Sequence, residues 1–172
     1  SGGDYGIVIK ENTGATVTNC TATGNSSGGA AIYCKAATSA SVTYCTENQS
    51  VGVGFKVGVG DTGNKCSNIT HTHCTVNISG TANALLWGDS TADLGGGIED
   101  YNLYAITGAG NFGSVRTTSG IATLAAVQAA WIGYDVSGND TNSTFGGSQY
   151  TVSISATLTS SGAQVRQIST AK

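Results

Sequence analysis

Val17-Thr18-Asn19-Cys20-Thr21-Ala22-Thr23-Gly24-Asn25 returns as Val42-Thr43-Tyr44-Cys45-Thr46-Glu47-Asn48, and again as Ile69-Thr70-His71-Thr72-His73-Cys74-Thr75-Val76-Asn77. Each copy follows a short apolar run: Ile7-Val8-Ile9, Ala31-Ile32-Tyr33-Cys34 and Val53-Gly54-Phe55-Lys56-Val57. A fourth run, Ala84-Leu85-Leu86-Trp87, opens a copy that then loses the pattern. Val17 to Val42 spans 25 positions and Val42 to Ile69 spans 27; Cys20 to Cys45 spans 25 and Cys45 to Cys74 spans 29. A period of this size, made of short β-type pieces and tight turns, predicts a solenoid in which each coil offers the next an edge to pair with.

Around this stretch the composition is unusual. The chain has 172 residues, 26 Gly and no Pro, so its turns must come from Gly, Asn, Asp and Ser. Charged residues make up 10% of the chain, against roughly 25% in an average globular domain. The net charge of -3 offers no field for nucleic acid or an acidic membrane surface. No apolar run reaches the roughly 18 residues of a membrane span. The chain has no Met, so Ser1 is read as other than a native translation start.

Five cysteines stand at 20, 34, 45, 66 and 74. Cys20, Cys45 and Cys74 occupy equivalent positions, which predicts a column of small buried thiols. Disulfides between neighbouring coils and a zinc site are the weaker readings. No CxxC pair exists, and His71 and His73 lie near only Cys74 and Cys66. No metal and no cofactor are therefore expected. Asn25, Asn48 and Asn77 also recur, which predicts stacked amides at a turn.

The sequence divides at about residue 97, with solenoid coils over 1–97 and a capping region over 98–172. Ser119 to Tyr134 is the one helix candidate: Ile121, Leu124, Val127, Ala130 and Trp131 recur at helical spacing, with Ser119 as the cap. An extended Ala-rich strand is the alternative. The candidate helix has almost no polar face, which suggests burial against sister chains. Gln149 to Thr159 alternates cleanly and reads as a strand, paired with 163–169 in a terminal hairpin.

The apolar strand, Gly/Asn turn and Val-Thr-x-Cys-Thr rung resemble the right-handed parallel β-helix over roughly residues 5–87. That fold is known in polysaccharide lyases and hydrolases and in bacteriophage tailspikes and tail appendages. The low charge, the Thr, Ser, Gly and Ala excess and the separate β-rich end look like the C-terminal part of a phage spike. The resemblance implies an all-β fold, a short solenoid followed by a β-rich trimerisation segment with one possible helix. It implies a homotrimer in the virion tail, outside the host cell, that stabilises the tip and contacts host surface polysaccharide. The trimer interface would draw on Ile121, Leu124, Val127, Trp131, Tyr150, Val152, Ile154 and Leu158. Some phage appendages cut themselves to leave a fragment that begins with Ser, and Ser1 fits that pattern.

Glycan cleavage needs paired carboxylates, or a carboxylate with a base. The candidates are Asp89, Asp93, Glu99 and Asp100, with Asp61 in a turn. Glu99 and Asp100 would point to opposite faces of a strand, while Asp89 and Asp93 sit in a Gly-rich loop. Lys56, Lys65, Arg116 and Arg166 form no cluster. His71 and His73 share one strand face, where a coil-edge role is expected. The short coil and the lack of a paired acid cluster tilt the reading away from an enzyme. The alternative function is a β-helix lyase or glycoside hydrolase, or a surface adhesin. The run Gly58 to Lys65 lacks the spacing of a phosphate loop.

Overall fold

The computed structural model describes residues 4–58, 64–88, 95–115, 118–136 and 144–153. Three strands make each turn. The first turn is β1 (Tyr5–Lys10), β2 (Thr16–Thr18) and β3 (Thr21–Thr23); the second is β4 (Ala30–Lys35), β5 (Ser41–Thr43) and β6 (Thr46–Gln49). The third is β7 (Val53–Gly58), β8 (Thr70–Thr72) and β9 (Thr75–Ile78); the fourth is β10 (Asn83–Trp87), β11 (Ile98–Asp100) and β12 (Leu103–Ile106). Equivalent strands pair in parallel, so three sheets run along the axis: β1-β4-β7-β10, β2-β5-β8-β11 and β3-β6-β9-β12. The result is a right-handed parallel β-solenoid of about four turns.

β13 (Asn111–Val115) opens a further turn, and the chain then leaves the coil. β14 (Thr118–Ile121) folds back antiparallel on β13, and α1 (Leu124–Val136) follows. β15 (Thr144–Phe145) and β16 (Tyr150–Ser153) return to the second and third sheets. Gly113 allows the departure. It sits at φ +103, and a Cβ there would lie 2.0 Å from the carbonyl oxygen of Leu85.

The sheets run past residue 97, because β11 and β12 pair with β8 and β9 in unbroken register. Among the described residues, the covering of the last turn is done by β14 and α1. Trp131 packs edge-on against Trp87 at 4.7 Å and lies 5.4 Å from Phe145. Covering the end matters, since an open last turn presents unpaired backbone groups to other chains.

The predicted helix over 119–134 is half right. Its first residues are strand, because pairing with β13 satisfies their backbone better than a frayed helical turn would. The cap is Thr123, not Ser119: the Thr123 hydroxyl accepts from the Ala126 amide at 3.2 Å. Ile121, Val127 and Trp131 are buried in the chain's own core, Leu124 is half-buried and Tyr150 is exposed. The side chain of Val152, together with Ile154 and Leu158, lies outside the described residues, as does the 163–169 half of the predicted hairpin.

The second and third sheets meet at a two-residue corner, repeated on every turn: Asn19-Cys20, Tyr44-Cys45, His73-Cys74 and Tyr101-Asn102. The first residue of each pair is left-handed, with φ of 54, 55, 57 and 55. The second residue turns inward. All five cysteines are free, and four are buried. The expected thiol column is present and bonded in order. The Cys45 amide donates to the Cys74 sulfur at 3.4 Å, and the Cys74 amide to the Asn102 side-chain oxygen at 2.8 Å. The Asn102 amide donates in turn to Gln149 at 3.1 Å. The asparagine column is shorter than expected. Asn77 donates to Asn48 at 2.9 Å on the outer face of β9 and β6, while Thr23 takes the place expected for Asn25.

Candidate functional site

The site follows from a register detail. The third turn carries an insertion before β8, so the residue beside Val42 is His71, not Ile69. His71 therefore enters the column that Val17 and Val42 fill with aliphatic side chains, and Glu99 follows it there from β11. The neighbouring column on the third sheet places Glu47 of β6 between Ala22 and Val76, and Tyr104 of β12 beyond them. Strand alternation turns all of these side chains into the coil. Glu47, His71, Glu99 and Asn102 are fully buried.

Inside, His71 bridges two carboxylates. Its Nε2 lies 2.9 Å from Glu47 Oε1, and its Nδ1 lies 2.9 Å from both oxygens of Glu99. Glu99 is surrounded by donors. The Trp87 indole donates to its Oε2 at 2.8 Å, the Asn102 amide to its Oε1 at 2.5 Å, and the Tyr104 hydroxyl to the same Oε1. The Asn102 orientation is fixed, because its oxygen already accepts from the Cys74 amide. Indole and amide N–H groups only donate, so both oxygens of Glu99 act as acceptors, and His71 Nδ1 faces them as a further donor. On the other side one proton is shared between His71 Nε2 and Glu47.

Burial is the largest influence on Glu47, His71 and Tyr104. It pushes the Glu47 carboxyl up, against the pull of the adjacent His71. For His71 burial acts downward, but the carboxylates of Glu99 and Glu47 overcome it and hold the imidazole well above its ordinary range. Burial and then the Glu99 charge push the Tyr104 hydroxyl well up, so it stays protonated and donates. Phe55 of β7 stacks on the His71 ring at 3.9 Å and 6°. The second oxygen of Glu47 is buried with no hydrogen-bond partner among the described residues. Glu47, His71 and the Cys74 sulfur bring one ligand atom each within 4.8 Å of one another.

This constellation overturns the tilt away from an enzyme, which rested on the short coil and on the lack of a paired acid cluster. Two carboxylates and a histidine do meet, fully buried, beside a thiol. Of the predicted site residues, Glu99 belongs to the cluster. Asp100 points the other way, as strand alternation requires, and accepts from the amides of Tyr101 and Ser148. Asp89 and Asp93 lie outside the described residues, as do Asp61, Arg116 and Arg166. Glu47 was not singled out by the sequence, because a lone Glu beside Asn48 reads as a turn. His71 and His73 do not share a face: β8 ends at Thr72, and His73 is the exposed corner residue. The spacing from Cys45 to Cys74 equals that from Val42 to His71, and this was the available signal.

Outside, the corner residues form an aromatic stack. The His73 ring lies between Tyr44 and Tyr101, with centroids 4.8 Å away on each side. Tyr44 is 59% exposed and Tyr101 52%. On the outer face of the third sheet, Thr23, Asn48, Ser50, Asn77 and Thr107 help line a shallow groove of about 350 Å³. No described helix is long and apolar enough to cross a membrane. Comparison with protein-family models, with curated proteins and with solved structures found no match.

Proposed function

We propose that the chain is a glycan-acting β-solenoid of the lyase or glycoside hydrolase kind, with Glu47, His71 and Glu99 as its acid–base set. The observation that carries this reading is a histidine holding a carboxylate on each ring nitrogen in the coil interior. Such an arrangement is suited to proton transfer: Glu99 fixes the ring and its Nδ1 hydrogen, while one proton is free to reside on Nε2 or on Glu47. Sugar contact is supported by the hydroxyls and amides of the outer groove and by the exposed Tyr44 and Tyr101 rings. The groove and the acid–base set lie on opposite sides of β6, where Asn48 points out and Glu47 in.

The test is an assay of the full chain against neutral and acidic polysaccharides, reading new reducing ends and unsaturated sugar products. Cleavage of one polymer is expected, falling by at least about 100-fold in Glu47→Gln and His71→Asn. A folded chain that cleaves none of them removes this reading.

The complete burial of all three residues favours a second reading, a structural module of a trimeric tail appendage that contacts host surface polysaccharide. The exposed Tyr150 and the exposed alanine face of α1, at Ala125, Ala126 and Ala129, support self-association. Light scattering tests it: a mass of three chains is expected, and a monomer at all concentrations counts against it.

A further inference from the structure

We propose that Glu47, His71 and Cys74 form the binding site of one divalent metal ion of the zinc class, with Glu99 orienting His71. The proposal shares its residues with the enzyme reading but does not depend on turnover. Three features support it.

The first is the donor set. A carboxylate oxygen, an imidazole nitrogen and a thiol sulfur together suit zinc or cobalt(II), and suit magnesium or calcium poorly. The second is the unpartnered oxygen. Glu47 is fully buried, and its Oε2 accepts no hydrogen bond among the described residues. A buried carboxylate oxygen without a partner costs free energy that a coordinated ion would offset. The third is the state of His71. Ligating histidines usually donate their other ring N–H to a carboxylate, which fixes the ring and raises its basicity. His71 already does this through Nδ1 to Glu99, and Glu99 is itself held by Trp87 and Asn102.

The distances require a modest adjustment. The three ligand atoms lie within 4.8 Å of one another. A tetrahedral zinc ion with ordinary bond lengths sets its ligands roughly 3.3–3.8 Å apart. Drawing in the Cys74 sulfur, and opening the 2.9 Å between His71 Nε2 and Glu47 Oε1 by a few tenths of an ångström, covers the difference. On binding, the ion takes the His71 Nε2 lone pair, the Cys74 thiolate and a Glu47 oxygen. Two protons leave to solvent: the thiol proton of Cys74 and the one shared between His71 and Glu47. Nothing is oxidised or reduced. Three protein ligands leave a fourth position for water or a substrate oxygen, the pattern of catalytic zinc sites.

The test uses the full chain. Because the site is enclosed, the chain is unfolded in denaturant and refolded with zinc or cobalt(II), then dialysed, and its metal content is measured. The expected result is one equivalent per chain. The cobalt form should show thiolate-to-cobalt absorption in the near ultraviolet together with tetrahedral visible bands. Cys74→Ser should abolish the thiolate absorption, and Glu47→Gln should weaken affinity at least tenfold. Cys45→Ser, one turn away, should retain the full equivalent and the same spectrum. Glu99→Gln should weaken affinity roughly 10–100-fold while keeping the cobalt–thiolate absorption. A refolded chain with native circular dichroism and no retained metal overturns the proposal. So does metal retained unchanged in both Cys74→Ser and Glu47→Gln. A chain that retains no metal yet cleaves a polysaccharide would overturn the metal site and leave the enzyme reading intact. One bound equivalent with no cleavage would uphold the metal site and count against the enzyme reading.

Discussion

Glu99 and Glu47 both touch His71, yet their replacement should have different consequences. Glu99 accepts from Trp87, Asn102, Tyr104 and His71, and every one of these faces it as a donor. Glu99→Gln puts an amide NH₂ among donors and removes the charge that balances the imidazolium. A loss of about 3–5 kcal/mol is expected, as for breaking a buried pair. Among the described residues, Glu47 has one hydrogen-bond partner, His71, and one oxygen without any. Glu47→Gln keeps an acceptor for His71, so a cost of about 1 kcal/mol is expected. Urea unfolding of the two variants, followed by circular dichroism, checks the contrast; equal losses would show that the network does not centre on Glu99. Trp87→Phe removes only the indole donor and keeps most of the packing against Phe55 and Trp131. It should cost about 1–2 kcal/mol in the same measurement.

At the level of the element, the corner between the second and third sheets is strained on every turn. Asn19, Tyr44, His73 and Tyr101 all lie near φ +55. For a residue with a side chain this conformation costs roughly 1–2 kcal/mol. Asn tolerates it best, His is enriched there, and the two tyrosines are held by stacking on His73. His73→Gly should be near neutral, since relief of the corner offsets loss of the stack. His73→Val should destabilise by about 2 kcal/mol, because a β-branched residue suits this region poorly and brings no ring. Thermal melts of the pair decide it: if Gly and Val melt together, backbone conformation at the corner is not what limits stability.

For the whole molecule, stability depends on covering the last turn and on a closed core. Trp131 joins α1 to Trp87 and Phe145. Trp131→Ala should cost about 3–5 kcal/mol and expose the edge of the final turn. Sedimentation should then show aggregates that the parent chain does not form. The thiols report on the same core. Of five free cysteines, only Cys20, in the first turn, is partly accessible. Burial pushes the Cys34 and Cys45 thiols up, which further suppresses the thiolate that reacts. A thiol reagent should modify one cysteine per native chain and all five in denaturant. Rapid native reaction of more than one would contradict a closed solenoid.

By itself the sequence determined the coil. The repeat of Val-Thr-x-Cys-Thr, the Gly and Asn turns and the recurring apolar runs lead to stacked parallel strands, because each copy can bury its inward face only against the next. It also placed the Cys20–Cys45–Cys74 column and the opposed directions of Glu99 and Asp100, since both follow from spacing and alternation alone. The acid–base cluster was decided only by the tertiary structure. Glu47, His71, Glu99 and Tyr104 come from three different turns, and nothing local marks any of them as buried. The register that brings them together depends on how the insertion before β8 is accommodated. Matching Val42 to Ile69 hides His71, whereas matching Cys45 to Cys74 reveals it. The fourth turn was obscured for a related reason: Ile98-Glu99-Asp100-Tyr101-Asn102 keeps the rung geometry but replaces the aliphatic residue with Glu and the Cys with Asn. Those two substitutions join the buried network, so the repeat disappears from the sequence at the turn where the site is completed.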